Sequence, residues 1–266
     1  MQSTTHKIII GGTGRAGTTV LVRLLTECGV DTGFTRTSWK REYFEHCQAG
    51  LEQDILAPDS PYVVKSPDLC ETLPGILATG TFTIDHAIVP IRDLEAASLS
   101  RARIGGGFAG VPGGLWKTDD PARQKAILAE LFHQFMHTLA VHDIPVTLLA
   151  FPRFVREEAY AYEKLRFLIG GLGRDEFGRI FREVADPGLV HAFEGAAHPA
   201  GAAARTPPAM AYAESLERSE RRRRRRRVYR RVAAASLAAA LVLAIAMSRR
   251  VRAMIQPPWI EVAASR

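Results

Sequence analysis

Residues 7–19 read Lys-Ile-Ile-Ile-Gly-Gly-Thr-Gly-Arg-Ala-Gly-Thr-Thr. Lys7–Ile10 is a short apolar run ending on Gly11-Gly12, the pattern of a buried strand entering a turn. Beyond Thr19, the residues Val20, Leu21, Leu24, Leu25 and Cys28 recur at helical spacing, and Gly29 supplies a stop. The predicted opening is therefore strand, glycine loop, helix. Within it Gly12–Gly17 spells G-x-x-x-x-G, followed by Thr18-Thr19. Successive N–H groups of such a loop curl around an anion, and the helix N-terminus adds partial positive charge. A nucleoside triphosphate loop needs a lysine after its last glycine, to reach the β and γ phosphates. Thr18 stands there, and the basic group sits inside the loop as Arg15. That substitution argues against a nucleoside triphosphatase.

Further along, Tyr62–Lys65, Ala87–Ile91 and Val146–Ala150 read as strands, short and largely apolar as expected of strands covered on both faces. Glu95–Arg103 reads as helix. Ile127, Leu128, Leu131, Phe132, Phe135 and Leu139 mark a long amphipathic helix over Arg123–Val141. Further helices are expected at 156–170 and 175–184. Strands alternating with helices predict an α/β domain, a three-layer α/β/α arrangement with a mainly parallel sheet and a P-loop-like turn, over residues 1–194. The glycine-rich stretch 105–114, with Phe108 and Trp116 nearby, reads equally as a lid over a substrate or as a connector. Arg92 falls at the C-terminal end of the third strand, the edge where open α/β sheets bind ligands. Its planar fork suits a phosphate. The competing reading pairs Arg92 with Asp93 or Glu95 at the surface.

Gly14-Arg15-Ala16-Gly17-Thr18-Thr19 resembles the 5′-phosphosulfate loop of the sulfotransferases that use 3′-phosphoadenylyl sulfate (PAPS), in particular bacterial members with the P-loop sulfotransferase fold. That family holds the donor's 3′-phosphate with an Arg at a strand end and a Ser eight residues later. Arg92 and Ser100 match this spacing, with Ser98 the alternative if the helix is phased differently. The likeness covers roughly residues 6–170, and 151–154 with 160–172 is similar to a late segment of bacterial members. It implies PAPS as co-substrate, adenosine 3′,5′-bisphosphate as product and no metal. The implied donor-binding residues are Gly14, Arg15, Ala16, Gly17, Thr18, Thr19, Arg92 and Ser100. Lys65 resembles the lysine that touches the transferring group, with a structural salt bridge as the competing role. Pro67 stands where cytosolic members place a histidine, so the base falls to Glu42, Asp68 or Glu45, or to none of them. The Arg-Lys-Gly segment that cytosolic members carry near their C-terminus has no clear counterpart.

His133 and His137 share a helix face without the glutamate of a zinc-protease motif, and a polar face is the expectation. Cys28, Cys47 and Cys70 form no metal spacing and read as reduced thiols. The opening MQSTTHK has no basic stretch leading into a long apolar run, so no secretory signal is expected.

The chain's net charge of +7 belongs to its tail. Residues 218–266 hold 14 Arg and 2 Glu (+12), leaving −5 for residues 1–217, which together give +7. Residues 195–217 read as an Ala/Pro-rich linker and 218–231 as an arginine-rich segment. Residues 232–248 read as an apolar helix, and 249–266 as a short tail. The uncharged stretch Val232–Met247 makes a helix about 24 Å long, extended by snorkelling arginines toward the roughly 30 Å of a bilayer core. The heavier arginine flank predicts a single membrane span with the catalytic domain on the cytoplasmic side. An interfacial helix, or an arginine run on nucleic acid, are the weaker alternatives, and no nucleic acid is expected.

The leading expectation is a membrane-tethered sulfotransferase acting on a hydroxyl or amine of a small molecule, lipid or glycan. The alternatives are a P-loop phosphotransferase with a degenerate loop and a non-catalytic, membrane-anchored nucleotide-binding protein.

Overall fold

The computed structural model describes residues 4–45, 47–104 and 112–190. The linker, the arginine-rich segment and the expected C-terminal helix lie outside the described residues, as do residues 105–111 of the glycine-rich stretch. Among the described residues no helix is long and apolar enough to cross a membrane.

The chain is α/β. Its main sheet has the strands β1 (Thr5–Ile10), β4 (Val63–Lys65), β5 (Phe82–Ile91) and β6 (Val146–Ala150), in the order β4-β1-β5-β6. All neighbours are parallel, with Ile10 opposite Lys65 and Ile88, and Ile91 opposite Ala150. A two-residue hairpin, β2 (Tyr43–Phe44) and β3 (Ala49–Gly50), forms a second, antiparallel ladder. The helices are α1 (Thr18–Glu27), α2 (Leu69–Ala78), α3 (Leu94–Arg103), α4 (Pro121–Val141), α5 (Arg153–Arg156), α6 (Glu158–Leu165) and α7 (Arg174–Val184).

Strand side chains alternate between faces, and the core divides accordingly. Ile8, Ile10, Val63, Ile88 and Leu149 pack with α1, α6 and α7. Ile9, Val64, Ala87 and Val89 pack with α2 and α4. Apolar residues on both faces are what make the strands read as continuous runs rather than alternating ones.

Several elements depart from the sequence expectation. β5 begins at Phe82, because Thr5–Lys7 of β1 pair with Phe82–Ile84 before the apolar run starts. The helix expected at 156–170 is shorter, α6 ending at Leu165, and Glu157 in an extended conformation (φ −113°, ψ 100°) separates it from the preceding turn of α5. α2 was not anticipated: Pro74 lies inside it, where proline removes a backbone donor. A 3-10 turn at Ser38–Glu42 and the hairpin are likewise additions.

The order of strands places a topological switch point between β1 and β5. From β1 the chain moves outward to β4; from β5 it moves the other way, to β6. β1 and β5 are neighbours whose exits diverge, which opens a crevice beyond their C-terminal ends. The glycine loop leaves β1 there, and Arg92 leaves β5 there.

Candidate anion-binding site

Gly11–Gly17 joins β1 to α1. Gly14, Arg15 and Gly17 all take left-handed backbone, with φ of 72°, 57° and 78°. Gly17 caps α1, and a Cβ there would lie 2.8 Å from Phe154 and 2.9 Å from Phe151. Only glycine fits, which draws residues 151–154 against the start of α1. Arg15 pays for the same conformation with a side chain attached, on the order of 1–2 kcal/mol. Its guanidinium is pinned in return: Nε donates to Ser100 Oγ at 3.0 Å, and Nη1 donates to the Cys47 carbonyl at 2.6 Å. From Thr13 to Val20 no backbone N–H donates to an acceptor among the described residues. A row of such donors around a curled loop is the raw material of an anion cradle.

Arg92 joins this arrangement from β5. One Nη donates to the Arg15 carbonyl at 3.1 Å, and the guanidinium lies over the Phe151 ring at 5.1 Å. Glu95, one of its two expected surface partners, pairs instead with Lys125 at 2.7 Å. The other, Asp93, accepts from the Ala96 N–H at 2.8 Å and caps α3. Besides Arg101, the buried residues of α3 are Ala96, Ala97, Ser98 and Ser100, small enough for close approach to the loop. Ser100 is the serine that meets the loop, through Arg15. The two expected anchors are thus linked to each other.

Sequence reasoning missed Arg101. It is 6% exposed, stacks on Trp116 at 5.0 Å, and donates through Nε (3.2 Å) and Nη2 (2.5 Å) to the Thr13 carbonyl. Its Nη1 donates to the Gly114 carbonyl at 2.7 Å. Arginine at a helix end reads as a solvated charge, and the available signal was the run of small residues just before it. Burial pushes the Arg101 pKa down to about 9, and the neighbouring charge of Arg15 adds to the effect. Arg15 is shifted down as well, by desolvation first and partly by Arg92. Burial also lowers Arg92, opposed by Asp93. A guanidinium stays protonated in proteins, so these shifts measure how poorly the site tolerates its own positive charge. Among the described residues, no carboxylate oxygen lies within 4.0 Å of Arg15 or Arg101.

Thr18 and Thr19 open α1, both buried, and the Thr19 hydroxyl sits 3.5 Å from the Gly50 carbonyl. Lys65, also buried, donates to that same carbonyl at 2.7 Å and faces Glu52 at 3.5 Å. Gly50 has φ 114°, and a Cβ on it would collide with the Glu42 carbonyl. Glu42 ends the 3-10 turn, and its carbonyl accepts from the Leu51 N–H. Asp68 lies at the start of α2, where its carbonyl accepts from the Thr72 hydroxyl at 2.9 Å. Ala16 is buried beneath the loop. His133 and His137 stack on one face of α4 with centroids 6.2 Å apart.

Comparison with protein-family models, curated proteins and solved structures found no match.

Chemically, the site is a crevice with open backbone donors, two hydroxyls, three guanidiniums and a lysine. It suits a ligand with at least two negative charges, one over the loop and one toward Arg92. Cys47, buried beside Arg15, has its thiol pushed up to about 11 by burial, with Arg15 pulling the other way.

Proposed function

We propose that this chain transfers a sulfuryl group from PAPS to a hydroxyl or amine of a small molecule, lipid or glycan. The observation that carries this reading is the convergence of Arg15, Arg92 and Arg101 on one glycine loop at the switch point of a parallel sheet. Arg15 and Arg101 are hydrogen-bonded there to neutral oxygens.

In this reading the N–H groups and hydroxyls of Gly14–Thr19 hold the 5′-phosphosulfate, and Arg15 offsets charge on the departing phosphate. Arg92 and Ser100 take the 3′-phosphate. The acceptor attacks sulfur in line and adenosine 3′,5′-bisphosphate leaves, so the protein mainly positions the partners and stabilises charge. Lys65 is the candidate to steady the transferring group, and Glu42 or Asp68 the candidate to take the acceptor's proton. No metal is invoked. The apolar segment 232–248 and its arginine flank would tether the enzyme to a membrane with the domain on the cytoplasmic side.

A second reading, a nucleotide-binding protein without turnover, draws on Lys65, whose ammonium is engaged by the Gly50 carbonyl and Glu52. Transfer of labelled sulfate in a membrane extract separates the two. For the donor, adenosine 3′,5′-bisphosphate should bind and ATP with magnesium should not. Arg15→Ala and Arg92→Ala should each weaken that binding by about 1.5–3 kcal/mol, the scale of a charged hydrogen bond. Unchanged affinity in both variants rejects the assignment.

A further inference from the structure

Arg23 lies on α1 one turn beyond Thr19, about 6 Å farther along the helix. Its guanidinium is stacked 4.2 Å from the Trp39 ring centroid and 5.9 Å from that of Tyr43. The two rings meet edge to face at 5.6 Å. Arg23 Nε and Trp39 Nε1 are both sealed from solvent without a hydrogen-bond partner. Of the three guanidinium nitrogens only Nε is closed off in this way. Among the described residues no carboxylate pairs with Arg23. The cation is therefore oriented by aromatic faces rather than by acceptors. Ring stacking holds the plane of an arginine while leaving its terminal donors for a partner, a use for which lysine is unsuited.

The position relates this cation to the donor loop. Thr19 and Arg23 share a face of α1. The Tyr43 phenol, raised chiefly by burial, is within range of the charges of both Arg23 and Arg15. Tyr43 also starts the hairpin whose far strand carries the Gly50 carbonyl, the acceptor for Lys65 and Thr19. Tyr43 thus lies near both Arg23 and the loop's Arg15.

We propose that Arg23, clasped by Trp39 and Tyr43, binds an oxyanion carried by the acceptor, a carboxylate, sulfate or phosphate group set apart from the nucleophilic hydroxyl or amine. This rests on the transferase reading for the word acceptor, whereas the oxyanion subsite itself stands on the stack. It makes the preferred substrate an anionic molecule rather than a neutral one.

The test uses the full-length chain saturated with adenosine 3′,5′-bisphosphate, titrated with phenyl phosphate, phenyl sulfate, benzoate and the neutral benzamide, and followed by tryptophan emission. At least one anion should bind about tenfold more tightly than benzamide, a difference of roughly 1.4 kcal/mol. The preference should vanish in Arg23→Gln, whose nucleotide affinity should match the wild type. A measurement that needs no variant is the reaction of the wild-type chain with phenylglyoxal, read by mass spectrometry on the Arg23 peptide. The best anion should protect Arg23 with the nucleotide bound. The proposal is overturned if no anion gives a saturable response at tens of millimolar, if the preference persists in Arg23→Gln, or if Arg23 is not protected. If the bisphosphate fails to bind at all, the donor reading falls, and the same titration without it still decides the subsite.

Discussion

The two ends of the sheet handle charge in opposite ways. At the N-terminal ends of the strands, His6, Tyr62 and Lys7 each meet an acceptor close to a carboxylate. His6 Nδ1 lies 2.6 Å from Asp85, which also accepts from the Tyr62 hydroxyl at 3.1 Å. Lys7 donates to the Ser60 and Pro61 carbonyls at 2.6 and 2.8 Å, within the field of Asp31. At the C-terminal ends, Arg15 and Arg101 are gathered around the glycine loop on neutral oxygens. The closed end balances its cations with nearby carboxylates, whereas among the described residues Arg15 and Arg101 have none within 4.0 Å, and such a cluster marks a candidate ligand site.

The largest expected effect tests whether the cationic end is also structural. Arg101→Met removes three donors from the Thr13 and Gly114 carbonyls and should cost roughly 3 kcal/mol in urea unfolding, the scale of two orphaned buried acceptors. A loss below about 1 kcal/mol would mean the loop holds its shape without it, and the contrast would be one of charge alone. Next, a dianion should stabilise the cationic end. Pyrophosphate at a hundredfold excess over its dissociation constant should add about 2.7 kcal/mol, an effect that Arg15→Ala diminishes and Asp85→Asn leaves intact.

The thiols compare the ends under pH. Cys28, at the far end of α1, and Cys47, beside Arg15, are both pushed up to about 11, and Cys70 to about 12, all chiefly by burial. The fold holds these protons more tightly than the unfolded chain does. Their contribution to stability is therefore complete below about pH 9 and lost as pH rises through about 11 for Cys28 and Cys47 and about 12 for Cys70. Iodoacetamide should label none of them quickly at pH 8, and bound bisphosphate, by drawing Arg15 off the Cys47 carbonyl, should speed Cys47 while leaving Cys28 unchanged. The smallest effect belongs to the closed end: Asp85→Asn should change stability by about 0.5 kcal/mol or less, since its pair is partly exposed, with no change in nucleotide affinity.

Much of this architecture is legible from residues 7–27, where an apolar run gives way to glycines and then to a helical period. Arg92 was legible because a charge following an apolar strand has one place to go. Other parts were hidden for identifiable reasons. Pro74 and Gly75 disguise α2, although packing of Leu69, Leu73 and Ile76 against the sheet outweighs their helix cost. The hairpin at 43–50 is too short to show any periodicity. Arg101 belongs to a helix end where charge is ordinary, and its burial depends on the smallness of Ala97 and Ser98, a property of packing rather than of pattern.

The hairpin has a consequence of its own. It is moored to the crevice by two carbonyls, Cys47 held by Arg15 and Gly50 held by Lys65. An incoming anion would compete with those oxygens for the same cations. Occupancy would then loosen the mooring as it fills the loop, and the amides of residues 47–51 would exchange their hydrogens faster in the loaded protein than in the empty one.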